Sequence, residues 1–484
     1  MCKEILISRV HGETRIAWLE NDCLEQILIE RDDQQSLVGN IYKAKVIRVM
    51  PGMQAAFVDI GDKRSAILHI DNIYSANNNV KIESILSAGK NILAQVIKDP
   101  IKDKGAVLTT DLSIASYSLV YRQNRKKLAI SHQIKDKSER ERLISLFDKV
   151  VSSLVPPKEF SGNFILRSVA EGLTQEQLIF DMQTLHSIWS DLLIKKMAKS
   201  PTILYKEPPK FQRMISEMLN KEEVKITVDC PQIHNDLNLL FKQYHVNKTA
   251  KLTQNFQQKN LFDRYDLDQQ INAALEKDVA LNCGGTLIIE ETEALSVIDV
   301  NSASYTGDND DQETYLKVNL EAADAAARQI RLRNLSGIII IDFIDMTDRS
   351  SQRQVLKRLQ KAFADDQIKP TIFDFTELGL VQIARKRTGL SISQTLCAPC
   401  DTYSVKGFIK SVDTVVYEIL RALSKEADGA SCEKIEIQAS KEVIQALQKK
   451  YSVQIKQYED TAECSVKLCT HNVMHCDEFN IIPT

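Results

Sequence analysis

Two aspartates end apolar, strand-like segments of this chain. Asp299 stands in Leu295-Ser296-Val297-Ile298-Asp299-Val300-Asn301, and Asp342 follows Gly337-Ile338-Ile339-Ile340-Ile341. A carboxylate closing an apolar buried strand is costly unless something neutralises it. Two of them at neighbouring strand ends can converge on one hard cation such as Mg2+, which takes oxygen ligands and keeps several waters. Asn301 shares a strand face with Asp299, because side chains alternate along a strand. Its carboxamide could orient a liganding carboxylate. The same aspartates would also suit strand ends or turn caps, and composition does not choose between these uses. Arg328, Arg331 and Arg333, and further on Arg385-Lys386-Arg387, flank the pair. They fit phosphate contacts, or equally a helix C-terminus and a solvated face. Cys397-Ala398-Pro399-Cys400 is the one cysteine pair with the close spacing of metal ligands. Cysteines so spaced can ligate a metal, or equally lie free in a linker.

The elements that must position the aspartates are legible around them. Gly284-Gly285 opens a strand at 286–290, and 295–301 reads as a second. An alanine-rich helix is expected over 313–334, with Asp324 and Arg328 spaced as an i,i+4 ion pair. Residues 338–343 form an apolar run expected to be a strand buried on both faces. Strand, helix, strand implies a crossover and parallel neighbours about 4.8 Å apart. Upstream, residues 40–110 hold five short strand patterns punctuated by Pro51-Gly52 and Gly61-Asp62-Lys63, which suits a small OB-type barrel. Residues 111–210 are mixed, with a basic loop at Arg122, Arg125, Lys126 and Lys127 and a helical segment near 138–142; Pro208-Pro209 marks a boundary. Residues 211–274 read as mainly helical, and 408–484 as a helix near 412–423 followed by strands.

The chain has 484 residues, enough for about three or four domains. Hydrophobic content of 43% and charged content of 26% exclude fibrous and largely disordered classes. No apolar run approaches the roughly 18 residues of a membrane span. The N-terminus carries no secretory pattern, and the ten cysteines are scattered; reduced thiols in the cytoplasm are the expectation. A net charge of −3 argues, taken whole, against a nucleic-acid partner. Counted by segment, residues 111–210 carry +5 and residues 275–395 carry −5, so the near-neutral total conceals opposed regions.

Several longer phrases resemble the ribonuclease E/G family: Val297-Ile298-Asp299-Val300-Asn301, Asn319-Leu320-Glu321-Ala322-Ala323, Ala327-Arg328-Gln329-Ile330-Arg331-Leu332-Arg333-Asn334-Leu335 and Ile341-Asp342-Phe343-Ile344-Asp345-Met346. Gly39-Asn40-Ile41-Tyr42-Lys43 and Pro51-Gly52-Met53-Gln54-Ala55-Ala56-Phe57-Val58-Asp59-Ile60-Gly61 are similar to its S1-type domain. The resemblance implies an α/β multidomain architecture. An RNase H-like fold (1–38 and 208–274) would be interrupted by an S1-type OB barrel (39–110) and a 5′-sensor region (111–207). A DNase I-like catalytic domain (275–395), a zinc-link (396–407) and a small C-terminal domain (408–484) would follow. It further implies a Mg2+-dependent endoribonuclease that cuts single-stranded, A/U-rich RNA and favours 5′-monophosphate ends. Ribosomal RNA 5′ maturation and mRNA decay would be its settings, and a homodimer or higher homo-oligomer its form.

The resemblance also implies roles for individual residues. Asp299 and Asp342 match the magnesium carboxylates, and Asn301 the residue supporting them. Arg167 and Ser168 match the 5′-phosphate sensor, with serine in place of the usual threonine, and Val120 aligns with a backbone contributor. Phe57 and Lys104 match RNA-contacting positions, although by pattern Phe57 suits a barrel core. A second family aromatic is Ile67 here, which cannot stack on a base. The Cys-Pro-x-Cys of the zinc-link becomes Cys397-Ala398-Pro399-Cys400, followed by Asp401-Thr402-Tyr403 where the family has glycine-rich residues. A non-catalytic RNA-binding scaffold is the competing reading, and both aspartates with Asn301 weigh against it.

Overall fold

A computed structural model describes residues 3–34, 36–74, 80–100, 104–123, 128–154, 163–208, 224–244, 250–255, 261–302, 311–364, 366, 368–399, 408–427, 434–471 and 477–483. Arg125, Lys126, Lys127, Pro209, Cys400 and Asp401-Thr402-Tyr403 lie outside the described residues. The chain is mixed α/β and divides into two units. One comprises residues 1–33, 224–234 and 252–484, the other 34–223 and 235–251.

The second unit contains a closed five-stranded barrel. Its strands are Ile41–Met50, Ala55–Asp59, Ala66–His69, Asn91–Lys98 and Val107–Thr109. Asn91–Lys98 returns to pair with Ile41–Met50, which leaves the barrel without an open seam. Alanine, valine and leucine side chains fill it by alternation: Ala44, Val46, Ala56, Val58, Ala66, Leu68, Ala94, Val96 and Leu108. Gly105 is obligatory, because a Cβ there would lie 1.9 Å from the carbonyl oxygen of Ser65. The five strands match the sequence expectation.

The rest of this unit is a four-stranded sheet in the order Ala129–Ile130, Asn163–Leu166, Leu119–Arg122, Ser113–Ala115. Helices Lys137–Leu154 and Gln175–Lys195 close a core in which Tyr121 meets Trp189 edge-on, ring centroids 5.1 Å apart. Thr174 and Gln177 form a capping box that starts the second helix.

In the first unit, Lys3–Val10 pairs antiparallel with Glu13–Glu20 and parallel with Val224–Val228. With Cys23–Arg31 and Ala250–Gln254 this makes one five-stranded sheet from stretches on both sides of the long insertion. The expected helical content of 211–274 is thus corrected to include two strands, Val224–Val228 and Ala250–Gln254, whose β-branched and alternating side chains pair with this sheet. At its edge the buried Glu13 carboxylate accepts hydrogen bonds from Arg15 Nε (2.8 Å), Arg31 Nε (2.8 Å) and Arg421 Nη1. Burial opposes ionisation of Glu13, but the three guanidiniums outweigh it and hold the carboxyl at about 2. Arg421 belongs to helix Val412–Ala427, so the network ties the C-terminal segment to the N-terminal sheet. That segment adds helices Lys441–Lys449 and Ser452–Ala462 and a three-stranded sheet centred on Lys434–Ala439. These two helices were not anticipated from sequence.

The remaining sheet carries the aspartates. Its strands are β1 (Asp278–Ala280), β2 (Thr286–Glu291), β3 (Leu295–Asn301), β4 (Gly337–Asp342), β5 (Thr371–Phe375) and β6 (Leu380–Arg385), in the order β1-β2-β3-β4-β6-β5. Helices α1 (Asp311–Leu332) and α2 (Arg349–Ala362) pack against it. β3 and β4 are parallel through the α1 crossover, as the pattern predicts, and every other neighbour is antiparallel.

β4 is not buried on both faces, contrary to expectation. Ile339 and Ile341 are in the core while Ile338 is 54% exposed, because both helices cover the same face. The expected Asp324–Arg328 pair is also absent. Arg328 donates to Glu25 (2.7 Å) and to the Leu24 carbonyl (2.8 Å), and Asp324 accepts a forked pair of bonds from Arg358. Partners on a packed strand and helix, in planar bidentate geometry, displace the exposed i,i+4 contact.

Ionised Glu13 stabilises the fold at pH above its ordinary value of 4.5, and that contribution is lost as pH falls towards about 2. Glu13→Gln removes the carboxylate shared by Arg15, Arg31 and Arg421 and leaves Arg15 with Asp268 alone. It is expected to cost about 3–5 kcal/mol in urea unfolding at neutral pH. A loss below about 1 kcal/mol would show that the arginines need no such partner.

Candidate active site

Asp299 and Asp342 are direct register partners across the parallel β3–β4 pair. Their Cα atoms are therefore set about one strand spacing apart, roughly 4.8 Å. Alternation places both side chains, with Asn301, on the sheet face opposite α1 and α2, which no helix among the described residues covers: Ile298, Val300, Ile339 and Ile341 point to the core, and Asp342 and Asn301 are exposed. Asn301 Nδ2 donates to Asp299 Oδ2 at 2.8 Å. Asp342 sits above the ordinary carboxylate range, through partial burial and the negative charges of Asp299 and Asp345. Contrary to the expectation of buried charges, Asp342 is exposed and Asp299 half-buried, and what sets them apart is like-charge crowding. Asp345, part of the quoted motif but given no role from sequence, joins the crowd, its negative charge acting on Asp342.

The fit to a hard cation follows from this donor set. All facing atoms are oxygens, one carboxylate is held by a carboxamide, and crowding of negative charge is relieved by a cation. Among the described residues no three or more His, Cys, Asp or Glu side chains form a preformed cage. Two carboxylates suffice for Mg2+, which keeps waters in its remaining positions.

The local backbone is held closely. Gly285 at the start of β2 admits no side chain, since a Cβ would lie 2.9 Å from the Asn301 carbonyl oxygen. Glu321 on α1 accepts from the backbone N–H groups of Asn282 (2.5 Å) and Cys283 (3.1 Å) just before it. Gly379, with φ of +79°, turns β5 into β6 beside Asp345.

The flanking basic residues are not at the site. Arg331 binds Glu25 and the Ala362 carbonyl, and Arg333 is buried against Gln329. Arg385 is register partner of Gly337 and is buried with Asp366, Asn334 and the Leu335 carbonyl. Gly337 starts β4 and Asp342 ends it, so this basic edge lies about 17 Å from the dyad. A crossover helix must end opposite the strand ends that it connects, which is why proximity in sequence misled.

The RNA-contact candidates lie in the other unit. Phe57 is register partner of Ile67 and sits outside the barrel core, which Ala56 and Val58 enter instead. Pattern alone had favoured the core; strand parity reverses that. Lys104 is exposed next to Gly105. Val120 lies on strand Leu119–Arg122, and Arg167 and Ser168 follow the end of its neighbour Asn163–Leu166, Ser168 opening a 3-10 turn. Val120 pairs with Ile165, and Arg167 N–H donates to the Ser118 carbonyl at 2.8 Å. The Arg167 guanidinium donates to the carbonyls of Ser116 (3.0 Å) and Tyr117 (2.8 Å). Asp181, fully buried on the second helix, accepts the N–H and O–H of Ser118 and was not foreseen. Cys397 is half-buried on a short strand, Cys397–Pro399, paired with Phe408–Lys410. Burial pushes its thiol upward.

Among the described residues no helix is long and apolar enough to cross a membrane. Residues 113–388 match the Ribonuclease E/G family. The chain is 36% identical to Ribonuclease G of Escherichia coli (strain K12), over the whole of both chains. It is 37% identical to Ribonuclease G of Haemophilus influenzae, over 92% of this chain and 91% of that one. To Ribonuclease E of Escherichia coli (strain K12) it is 32% identical, over 88% of this chain and 40% of that one. With the dyad and its asparagine standing inside the matched region, the chain belongs to the ribonuclease E/G family.

Proposed function

We propose that this endoribonuclease cuts single-stranded, A/U-rich RNA at Asp299 and Asp342 with Mg2+, and favours 5′-monophosphorylated ends. The observation that carries the reading is the register of the two aspartates on an open sheet face. Both would hold the cation through carboxylate oxygens, and Asn301 keeps one Asp299 oxygen turned and fixed. Bound there, Mg2+ supplies an activated water and neutralises charge at the scissile phosphate. The uncovered face leaves room for an extended strand, whose phosphates the paired carboxylates would repel without a counter-ion.

Arg167 and Ser168 serve as the 5′-phosphate contact, with Val120 beside them. The guanidinium brings positive charge to the 116–118 turn, and the serine hydroxyl follows it in the chain. Phe57 and Lys104 offer an aromatic face and a cation outside the barrel core, suited to stacking and phosphate contact. Ile67 beside Phe57 limits stacking to one ring. The barrel supports an S1-type domain, the split N-terminal sheet an RNase H-like fold, and the β1–β6 sheet a DNase I-like one. Zinc shared through Cys397 and Cys400 would join two chains into a homodimer. Ribosomal RNA 5′ maturation and mRNA decay in the cytoplasm are the proposed settings.

Asp299→Asn and Asp342→Asn are each expected to lower cleavage by at least roughly a hundred-fold while RNA binding persists, the loss of a few kcal/mol of transition-state stabilisation. Full activity in either variant would overturn the assignment. On oligonucleotides differing only in the 5′ group, a monophosphate should be cut faster than a triphosphate. Arg167→Ala should remove roughly a ten-fold advantage; equal rates in the parent protein would end the sensor role. Purified protein should hold about one zinc per two chains and lose it with Cys397→Ser. Zinc-free parent protein would exclude the shared site.

A further inference from the structure

Asn319 is fully buried on α1, yet both ends of its carboxamide are engaged at one distant residue. Its Nδ2 donates to the Ile344 carbonyl at 2.8 Å, and its Oδ1 accepts the Ile344 N–H at 3.1 Å. This is the double bond pattern that a neighbouring strand would offer. Among the described residues no strand offers it there, because the pairing of β4 with both β3 and β6 ends at Asp342. Ile344 follows Asp342 by two residues and precedes Asp345 by one. The chain on either side is also pinned. Phe343 packs on Phe375 with ring centroids 6.0 Å apart, and the Met346 carbonyl accepts from Gln352 Nε2 at 3.2 Å. Gln312, two helical turns before Asn319 on α1, accepts from the Thr347 N–H and hydroxyl.

We infer that Asn319 is a positioning residue of the cation site: by replacing the missing ladder partner of Ile344, it fixes how Asp345 and Asp342 are presented beside Asp299. The inference rests on the reading of Asp299 and Asp342 as cation-holding residues. Asn319 itself touches neither the cation position nor RNA. Its loss should leave the helix in place, because α1 is held independently by Glu25 on Arg328 and Arg331, by Arg358 on Asp324, and by its apolar face.

The test uses the full chain with Asn319→Leu, which keeps the size and removes both bonds, and Asn319→Asp, which keeps the acceptor and removes the donor. Mg2+ binding is measured by calorimetry without RNA, alongside thermal unfolding and the Mg2+ dependence of cleavage. Either folded variant is expected to bind Mg2+ about ten-fold more weakly. It should still unfold cooperatively and regain most of the parent cleavage rate when Mg2+ is raised to saturation. Should the leucine variant fail to fold, the aspartate variant carries the same expectation. Parent-like Mg2+ affinity in a folded variant, or a lowered rate with an unchanged Mg2+ midpoint, would overturn the inference. If Asp299→Asn abolishes Mg2+ binding while the Asn319 variants do not shift it, the inference alone falls. If the parent chain binds no Mg2+, the reading of the dyad falls and takes the inference with it.

Discussion

The register of β3 against β4 sets two carboxylates side by side, and the surrounding structure has to hold them there against their own repulsion. A slip of one residue along either strand would turn one aspartate into the core and an isoleucine into solvent. The register is kept by what lies beneath. Ile298, Val300, Ile339 and Ile341 are buried in one core with the helices, each contributing about 1.5–3 kcal/mol on burial. That is enough to outweigh crowding of partly solvated charges on the opposite face. The polar site is thus maintained by apolar residues that alternate with it.

The helix that joins the two strands is itself anchored at several points. Near its C-terminus, Arg328 and Arg331 share Glu25 on the N-terminal sheet, and Arg358 reaches across from α2 to Asp324. Nearer its N-terminus, Gln312, Asn319 and Glu321 bond to the backbone of the segments flanking the dyad. Cations therefore stabilise the far end of α1, where they complement its dipole, and carboxamides and a carboxylate serve the end nearer the site. This division explains why the arginine-rich phrase, though close in sequence to the aspartates, contributes to scaffold and not to substrate contact. The Glu13 network does the equivalent task for the N-terminal sheet, linking its strands to a helix near the other end of the chain.

Much of this was open to reading from residue order. The five barrel strands, the strand–helix–strand crossover and the placement of Asp299, Asn301 and Asp342 near strand ends all follow from apolar periodicity and turn residues. Those features depend on neighbours within about ten positions, and backbone sterics make their periods nearly independent of context. Some of what was missed lay in distant partners, and some in local pattern, as with helices Lys441–Lys449 and Ser452–Ala462 and strands Val224–Val228 and Ala250–Gln254. Arg328 finds Glu25, not Asp324. Phe57 lies outside the barrel, because strand parity sends Ala56 and Val58 inward. β4 is open on one face, because both helices lie on the other.

By itself, then, the sequence determined the barrel strands, the crossover, the candidate dyad and membership of the family, since local period and long motifs survive without knowledge of packing. Only the tertiary structure decided that Asp299 and Asp342 stand in register on an uncovered face, that Asp345 joins them, and that Asn319 pins the loop between. Each of these depends on which distant segments meet and in what alignment, and a charge or amide acquires its role only from the partner that packing brings to it.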